Sequence, residues 1–209
     1  MMLGARTAAW AKSGTPLPYL RRVAYLESDG QQYIDTLVDT GVDFVNDNIV
    51  EIDFLPRIIS DTHNFFGNGD SWTSGYTLGI AEYYNENYAQ ASNGFFASNN
   101  SVVIIVGDWS TVVASNSGIK YNGIDLSYKY ASNPVSGTAL LFGCRRNGSY
   151  FRGYTLKGGI RKAVIMTKGN LVRNFIPVLD LSGRPAMYDE VSGNLFYNQG
   201  TGEFTWGEL

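Results

Sequence analysis

The chain has 209 residues, 44% of them hydrophobic, and a formal net charge of −3. That length suits one large domain or two small ones, and that apolar content excludes wholesale disorder. The mild acidity and the absence of any lysine or arginine run exclude an electrostatic footprint for nucleic acid or for an anionic membrane.

The N-terminal stretch MMLGARTAAWAKSGTPLP is interrupted by Arg6 and Lys12. No apolar run in it reaches the length of a signal-peptide core or a membrane span, so no Sec signal is expected. Residues 5–12 suit about two helical turns, which Pro16 and Pro18 then end. Residues 1–20 therefore read as a leader outside the core, and 21–209 as one domain.

Beyond the leader the period is two. In IVEIDFL, Val50, Ile52 and Phe54 share one face while Glu51 and Asp53 share the other, which predicts a strand covered on one side. The unbroken run Val102 to Val106 predicts a strand buried on both faces. Asn122-Gly123 predicts a two-residue hairpin, because both central residues of such a turn need positive φ. Gly169-Asn170 predicts another. In the tail, Gly183, Gly193 and Gly202 close the polar clusters DLSG, EVSG and QGTG, with one short strand's length between them. These glycines read as reversals of a meander. QGTG lacks the Gly-Lys-Ser/Thr of a phosphate loop. No capped helical pattern interrupts the series. The fold class is all-β, a two-sheet antiparallel β-sandwich.

Several segments resemble those of concanavalin A-like, laminin-G-like jelly-roll domains of the gut-bacterial and phage type. YLESDGQQYIDT (25–36) looks like their opening strand and KYNGIDL (120–126) like their asparagine-glycine hairpin. LFGCRRNGSYFRGYTLKGGIRKAVI (141–165) is similar to a segment near the end of the sandwich. RNFIPVLDLSGRPAMYDEVSGNLFYNQGTGEFTWG (173–207) resembles their terminal meander. LGARTAAWAKSG (3–14) resembles a leader that precedes such modules in phage-like proteins. As an attachment tag it would act through Arg6, Trp10 and Lys12. The resemblance implies a jelly roll and a habit of binding, often to glycans and sometimes to proteins. Fold alone assigns no activity.

Glycosidases of the same superfamily carry a strand resembling Glu-Ile-Asp-x-x-Glu, which Glu51-Ile52-Asp53 begins to match. Retaining hydrolysis needs a second carboxyl about 5–5.5 Å from the nucleophile. Leu55 and Pro56 stand where that group would come, and neither transfers a proton. Catalytic residues are therefore none, and the chain reads as a non-enzyme. His63 is the only histidine and reads as a turn residue, and Cys144 in ALLFGCRR reads as a buried structural thiol. Together they cannot furnish a zinc site. Calcium is the one cofactor left open, on Asp39, Asp43, Asp47 and Asp70, because laminin-G-like sandwiches often carry one at the rim.

Sugar binding needs aromatic faces beside amides and hydroxyls. DSWTSGYTLGIAEYYNENYAQASNGFF supplies Trp72, Tyr76, Tyr84, Asn85, Asn87 and Tyr88, with NEN read as an exposed turn, and GDWST adds Trp109. The expected function is a non-catalytic binding or adhesion module, its partner a glycan or surface polysaccharide, displayed on a phage particle. The alternatives are a fibre or decoration protein contacting other virion proteins, and a hydrolase with a non-standard acid. The expected location is the virion, or the cytoplasm before lysis. Homo-oligomerisation stays open.

Overall fold

The computed structural model describes residues 16–41, 47–59, 63–71, 74–83, 86–91, 104–115, 118–126, 135–150 and 155–209, with backbone alone at 70–71, 74–76, 80–83 and 86–91. In chain order the strands are β1 (Tyr19–Arg22), β2 (Tyr25–Asp29), β3 (Ile34–Asp39), β4 (Asn48–Pro56), β5 (His63–Ser71) and β6 (Ser74–Tyr83). Then come β7 (Glu86–Ala91), β8 (Ser110–Ser115), β9 (Gly118–Tyr121), β10 (Ile124–Asp125), β11 (Thr138–Leu141) and β12 (Arg145–Arg146). The last six are β13 (Ser149–Tyr150), β14 (Lys157–Thr167), β15 (Asn170–Asp180), β16 (Pro185–Asp189), β17 (Leu195–Phe196) and β18 (Thr205–Gly207).

Among the described residues these strands form two sheets and no helix. The larger runs β10-β9-β8-β4-β14-β15-β16-β17, with β1 on β15 and with β2 between β14 and β18. The smaller runs β13-β12-β5-β11-β3 and extends from β5 through β6 to β7. All pairings are antiparallel except the short contact of β12 with β5.

The period-two reading of β4 holds. Val50, Ile52 and Phe54 are fully buried and Glu51 and Asp53 are half-buried on the other side. Phe54 stacks on Phe65 of β5 at 4.4 Å, and Tyr121 of β9 meets Phe54 edge-on. The Tyr121 hydroxyl donates to the Gly79 carbonyl of β6 at 2.7 Å. Aromatic rings thus bridge the two sheets, and the one buried hydroxyl among them has an acceptor, as burial demands.

The two-residue hairpin at Asn122-Gly123 forms, with φ of 48° and 80°. The second hairpin also forms, but its positive-φ pair is Lys168-Gly169, at 51° and 69°, and Asn170 already pairs with Thr167. The expected buried strand at Val102 to Val106 does not hold over its described part. Ile104 is buried, but Ile105 and Val106 are exposed and lead into a turn before β8. An apolar run alone cannot distinguish a strand from a coil crossing the sandwich rim. The expected turn at NEN does not hold over its described part: Glu86 and Asn87 lie in β7, opposite Tyr83 and Glu82.

The tail reverses at Gly183, Gly193 and Gly202, all with positive φ. Only β15-β16-β17 is a local meander, because β18 crosses over to pair with β2. Tyr19 and Leu20, within the stretch read as leader, belong to β1, and Tyr19 pairs with Asp180 of β15.

Candidate functional site

The outward face of the large sheet carries the most concentrated polar chemistry. Between Ile160 and Lys162 strand β14 has a bulge, so Arg161 is an extra residue opposite β4. A bulge bends the strand and re-aims a side chain. Here the Arg161 Nε donates to Asp53 Oδ2 at 3.2 Å, and its guanidinium lies 4.6 Å from the ring centre of Trp109. Thr111 donates to the other Asp53 oxygen at 2.6 Å, and Lys162 meets Glu51 at 2.6 Å. Tyr25 meets Trp109 edge-on at 5.5 Å, and Arg57 holds Glu27 with two hydrogen bonds beside it.

Next to this cluster runs a groove of about 500 Å³, lined in part by Arg22, Asp53, Arg161, Lys162, Asn174 and Glu190. The Asn174 amide donates to Glu190 at 2.8 Å. Arg22 is exposed and forms no ion pair among the described residues. The groove therefore offers hydrogen-bonding groups of both signs, and it reaches Trp109 through the Arg161 guanidinium.

Glu51 and Asp53 do share a face, as alternation requires. Each is engaged by a cation, and Leu55 and Pro56 are buried. A hydrolytic pair needs one carboxyl kept protonated across a gap from an ionised one. Two carboxylates each paired with a cation do not provide that.

Of the residues expected to bind sugar, Trp109 is half-buried in this cluster. Tyr76 lies on β6 opposite Asn68, and Asn87 and Tyr88 lie on β7 opposite Glu82 and Ala81. These strands belong to the small sheet, whereas Trp109 precedes β8 of the large one. Trp72, Tyr84 and Asn85 lie outside the described residues, as do Arg6, Trp10 and Lys12 of the leader. Of the calcium candidates, Asp43 lies outside and Asp70 is fixed in its backbone alone, within β5. Asp39 and Asp47 are exposed, and one Asp39 oxygen accepts from the Gly41 N–H at 2.7 Å. Among the described residues no three acidic, histidine or cysteine side chains converge on a metal position.

His63 is not a turn residue. It opens β5, is 5% exposed, and its Nδ1 lies 2.7 Å from the Thr155 carbonyl. Cys144 is buried, as expected. Burial pushes its thiol up to about 12, against a smaller opposing effect of the Asn64 amide bonded to it at 3.3 Å.

Sequence reasoning overlooked the carboxylates that shape the tail. Asp180 accepts from the Ser182 N–H, the Ser182 hydroxyl and the Arg184 N–H, while Tyr197 donates to its second oxygen. Asp189 accepts from the N–H groups of Asn174, Val191 and Ser192. The signal was present: an aspartate stands three or four residues before each of Gly183 and Gly193, the spacing at which it can bond the turn's N–H groups.

No protein-family profile and no curated protein matches this chain. Among solved structures it is similar to a native heptameric SAP-like pentraxin from Limulus polyphemus. The TM-score is 0.51 at 11% identity, over 69% of this chain and 76% of that one. It is also similar to a Bacteroides ovatus protein named for carbohydrate binding, with a TM-score of 0.59 at 12% identity over 90% of this chain. This chain matches 61% of that protein's length. The class is therefore a two-sheet jelly-roll β-sandwich. At these identities the likeness establishes the fold alone.

Proposed function

We propose that the protein is a non-catalytic carbohydrate-binding sandwich, and that the groove beside Trp109 on the large sheet receives the glycan. One observation carries this reading: a groove of about 500 Å³ is lined by Arg161, whose guanidinium lies 4.6 Å from the ring centre of Trp109, and by Asp53, Lys162, Asn174 and Glu190, each held by a partner. Rings cover the apolar faces of sugars, and pre-positioned amides and charges fix their orientation at little entropic cost. The likeness to the Bacteroides ovatus carbohydrate-binding protein supports the ligand class. The resemblance to laminin-G-like modules of phage type supports display on a virion, with residues 1–20 as the attachment segment and exit by lysis.

Two measurements test this. Wild-type protein should bind at least one immobilised glycan, and Trp109→Ala should weaken that binding by about tenfold, the loss of about 1.4 kcal/mol. Deleting residues 1–18, which leaves β1 intact, should preserve sugar affinity and abolish incorporation into particles. Binding that is indifferent to Trp109 contradicts the site, and retained incorporation contradicts the role of the leader.

A further inference from the structure

A second recess lies at the rim of the small sheet, about 410 Å³ in volume, between the edge of β3 and the segment 194–199. It belongs to none of the motifs considered for function. Its floor is rigid. Asp35 accepts from the Thr138 hydroxyl at 2.8 Å, from the Leu37 N–H at 2.9 Å and from Arg145. The Asn198 side chain accepts from the N–H groups of Tyr33 and Gly200 and donates to the Gly202 carbonyl.

The walls differ from the floor. Asn194 and Gln199 line the recess, are exposed, and carry side-chain amides with no partner among the described residues. Leu37 lines it too, 61% exposed and at φ 57°. β3 carries two extra residues there, since Asp39 pairs with Thr138 and Asp35 with Leu140. A non-glycine residue in the left-handed region costs of order 1 kcal/mol or more, and an exposed leucine recovers none of it by burial. Such strain persists where the surroundings over-determine it, and it clusters at ligand clamps. Beside the recess Tyr33 and Tyr150 stack at 4.0 Å, and the Gln199 N–H donates to the Tyr33 carbonyl at 2.9 Å.

We infer that this recess is a second binding site, for a neutral hexose or N-acetylhexosamine unit, with Leu37 against the sugar's apolar face and Asn194 and Gln199 bonding its hydroxyl or acetamido groups. The ligand is uncharged because the charged pair at the floor, Asp35 and Arg145, is satisfied internally and the available groups are amides. The inference rests on the chain being a sugar binder and adds a site to it. Two separate sites would give a surface polysaccharide two points of attachment, and linked weak sites raise the overall avidity.

The test is NMR titration of the full chain with neutral disaccharides of glucose, galactose, mannose and N-acetylglucosamine, at millimolar concentration. The side-chain amide signals of Asn194 and Gln199 report this site, and the Trp109 indole N–H reports the other. The expected result is a saturable shift of the two amides by at least one sugar, unchanged in Trp109→Ala. The double variant Asn194→Ala/Gln199→Ala should weaken it about tenfold. Leu37→Gly, which suits the left-handed backbone, should keep the fold and still weaken binding. Shifts confined to the Trp109 indole overturn this inference and leave the groove reading standing. No response to any sugar at either signal overturns both. Saturation by an unrelated leucine-bearing peptide in place of every sugar also overturns it.

Discussion

At the scale of single residues, Asp180 anchors the turn between β15 and β16. Burial alone would raise its carboxyl's pKa, but the Ser182 hydroxyl, the N–H groups of Arg184 and Ser182, and the Tyr197 hydroxyl outweigh that and hold it well below the usual carboxylate range. A carboxylate whose folded pKa is depressed stabilises the fold above its unfolded pKa, about 3.9, and that contribution is lost as pH falls. Asp180→Ala should therefore cost about 2–4 kcal/mol at neutral pH by urea unfolding, with the gap to wild type narrowing below about pH 4. A gap independent of pH would mean that the carboxylate's charge is not what holds the turn. Cys144 offers a second trial. The thiolate is the reactive form, and a thiol pushed up to about 12 holds almost none of it at neutral pH. A thiol reagent should leave Cys144 untouched in the native protein and modify it on unfolding.

At the scale of elements, the tail shows that its glycines are not equivalent. Gly183 turns in open space, with nothing within 4 Å of an added Cβ. Gly200 sits two residues before the Gly202 turn, and a Cβ there would lie 1.9 Å from the Gln31 carbonyl. That contact is where QGTG docks on DGQQY. The Thr201 N–H donates to the Gln31 carbonyl at 3.2 Å, the Gln199 N–H to the Tyr33 carbonyl at 2.9 Å, and the Gln32 amide to the Thr201 carbonyl at 3.1 Å. Gly200→Ala should cost about 2–3 kcal/mol, since a backbone carbonyl cannot step aside cheaply. Gly183→Ala should cost about 1 kcal/mol, from its positive φ alone. Denaturant midpoints of the two variants check the order. Equal losses would show that the docking contributes nothing. The sequence placed every one of these reversals. Alternation and turn chemistry are local, and local signals survive in a single chain. The docking of 199–201 on 31–33 joins positions about 170 residues apart, and nothing local encodes it. The bulge at Arg161 was hidden for the same reason, because an extra residue is defined only against a partner strand.

At the scale of the whole molecule, two sheets close over a core bridged by Phe54, Phe65 and Tyr121. Cutting that bridge with Phe54→Ala should cost about 3–5 kcal/mol. The all-β sandwich was legible because period-two alternation fixes which faces are buried. The proposed binding surface was legible only in part. Trp109 was named as a candidate from its neighbours in sequence, but Arg161, Lys162 and Asn174 enter the groove through strand order, which composition does not carry. The central claim, a surface that grips sugar without cutting it, meets its most direct test in one titration. Wild-type protein is followed by calorimetry against fragments of the polysaccharide it binds best, and the same samples are analysed afterwards for shortened products. The account predicts saturable heat that Trp109→Ala reduces, with fragment lengths unchanged after prolonged incubation. Shortened fragments, or no heat with any polysaccharide, would contradict it.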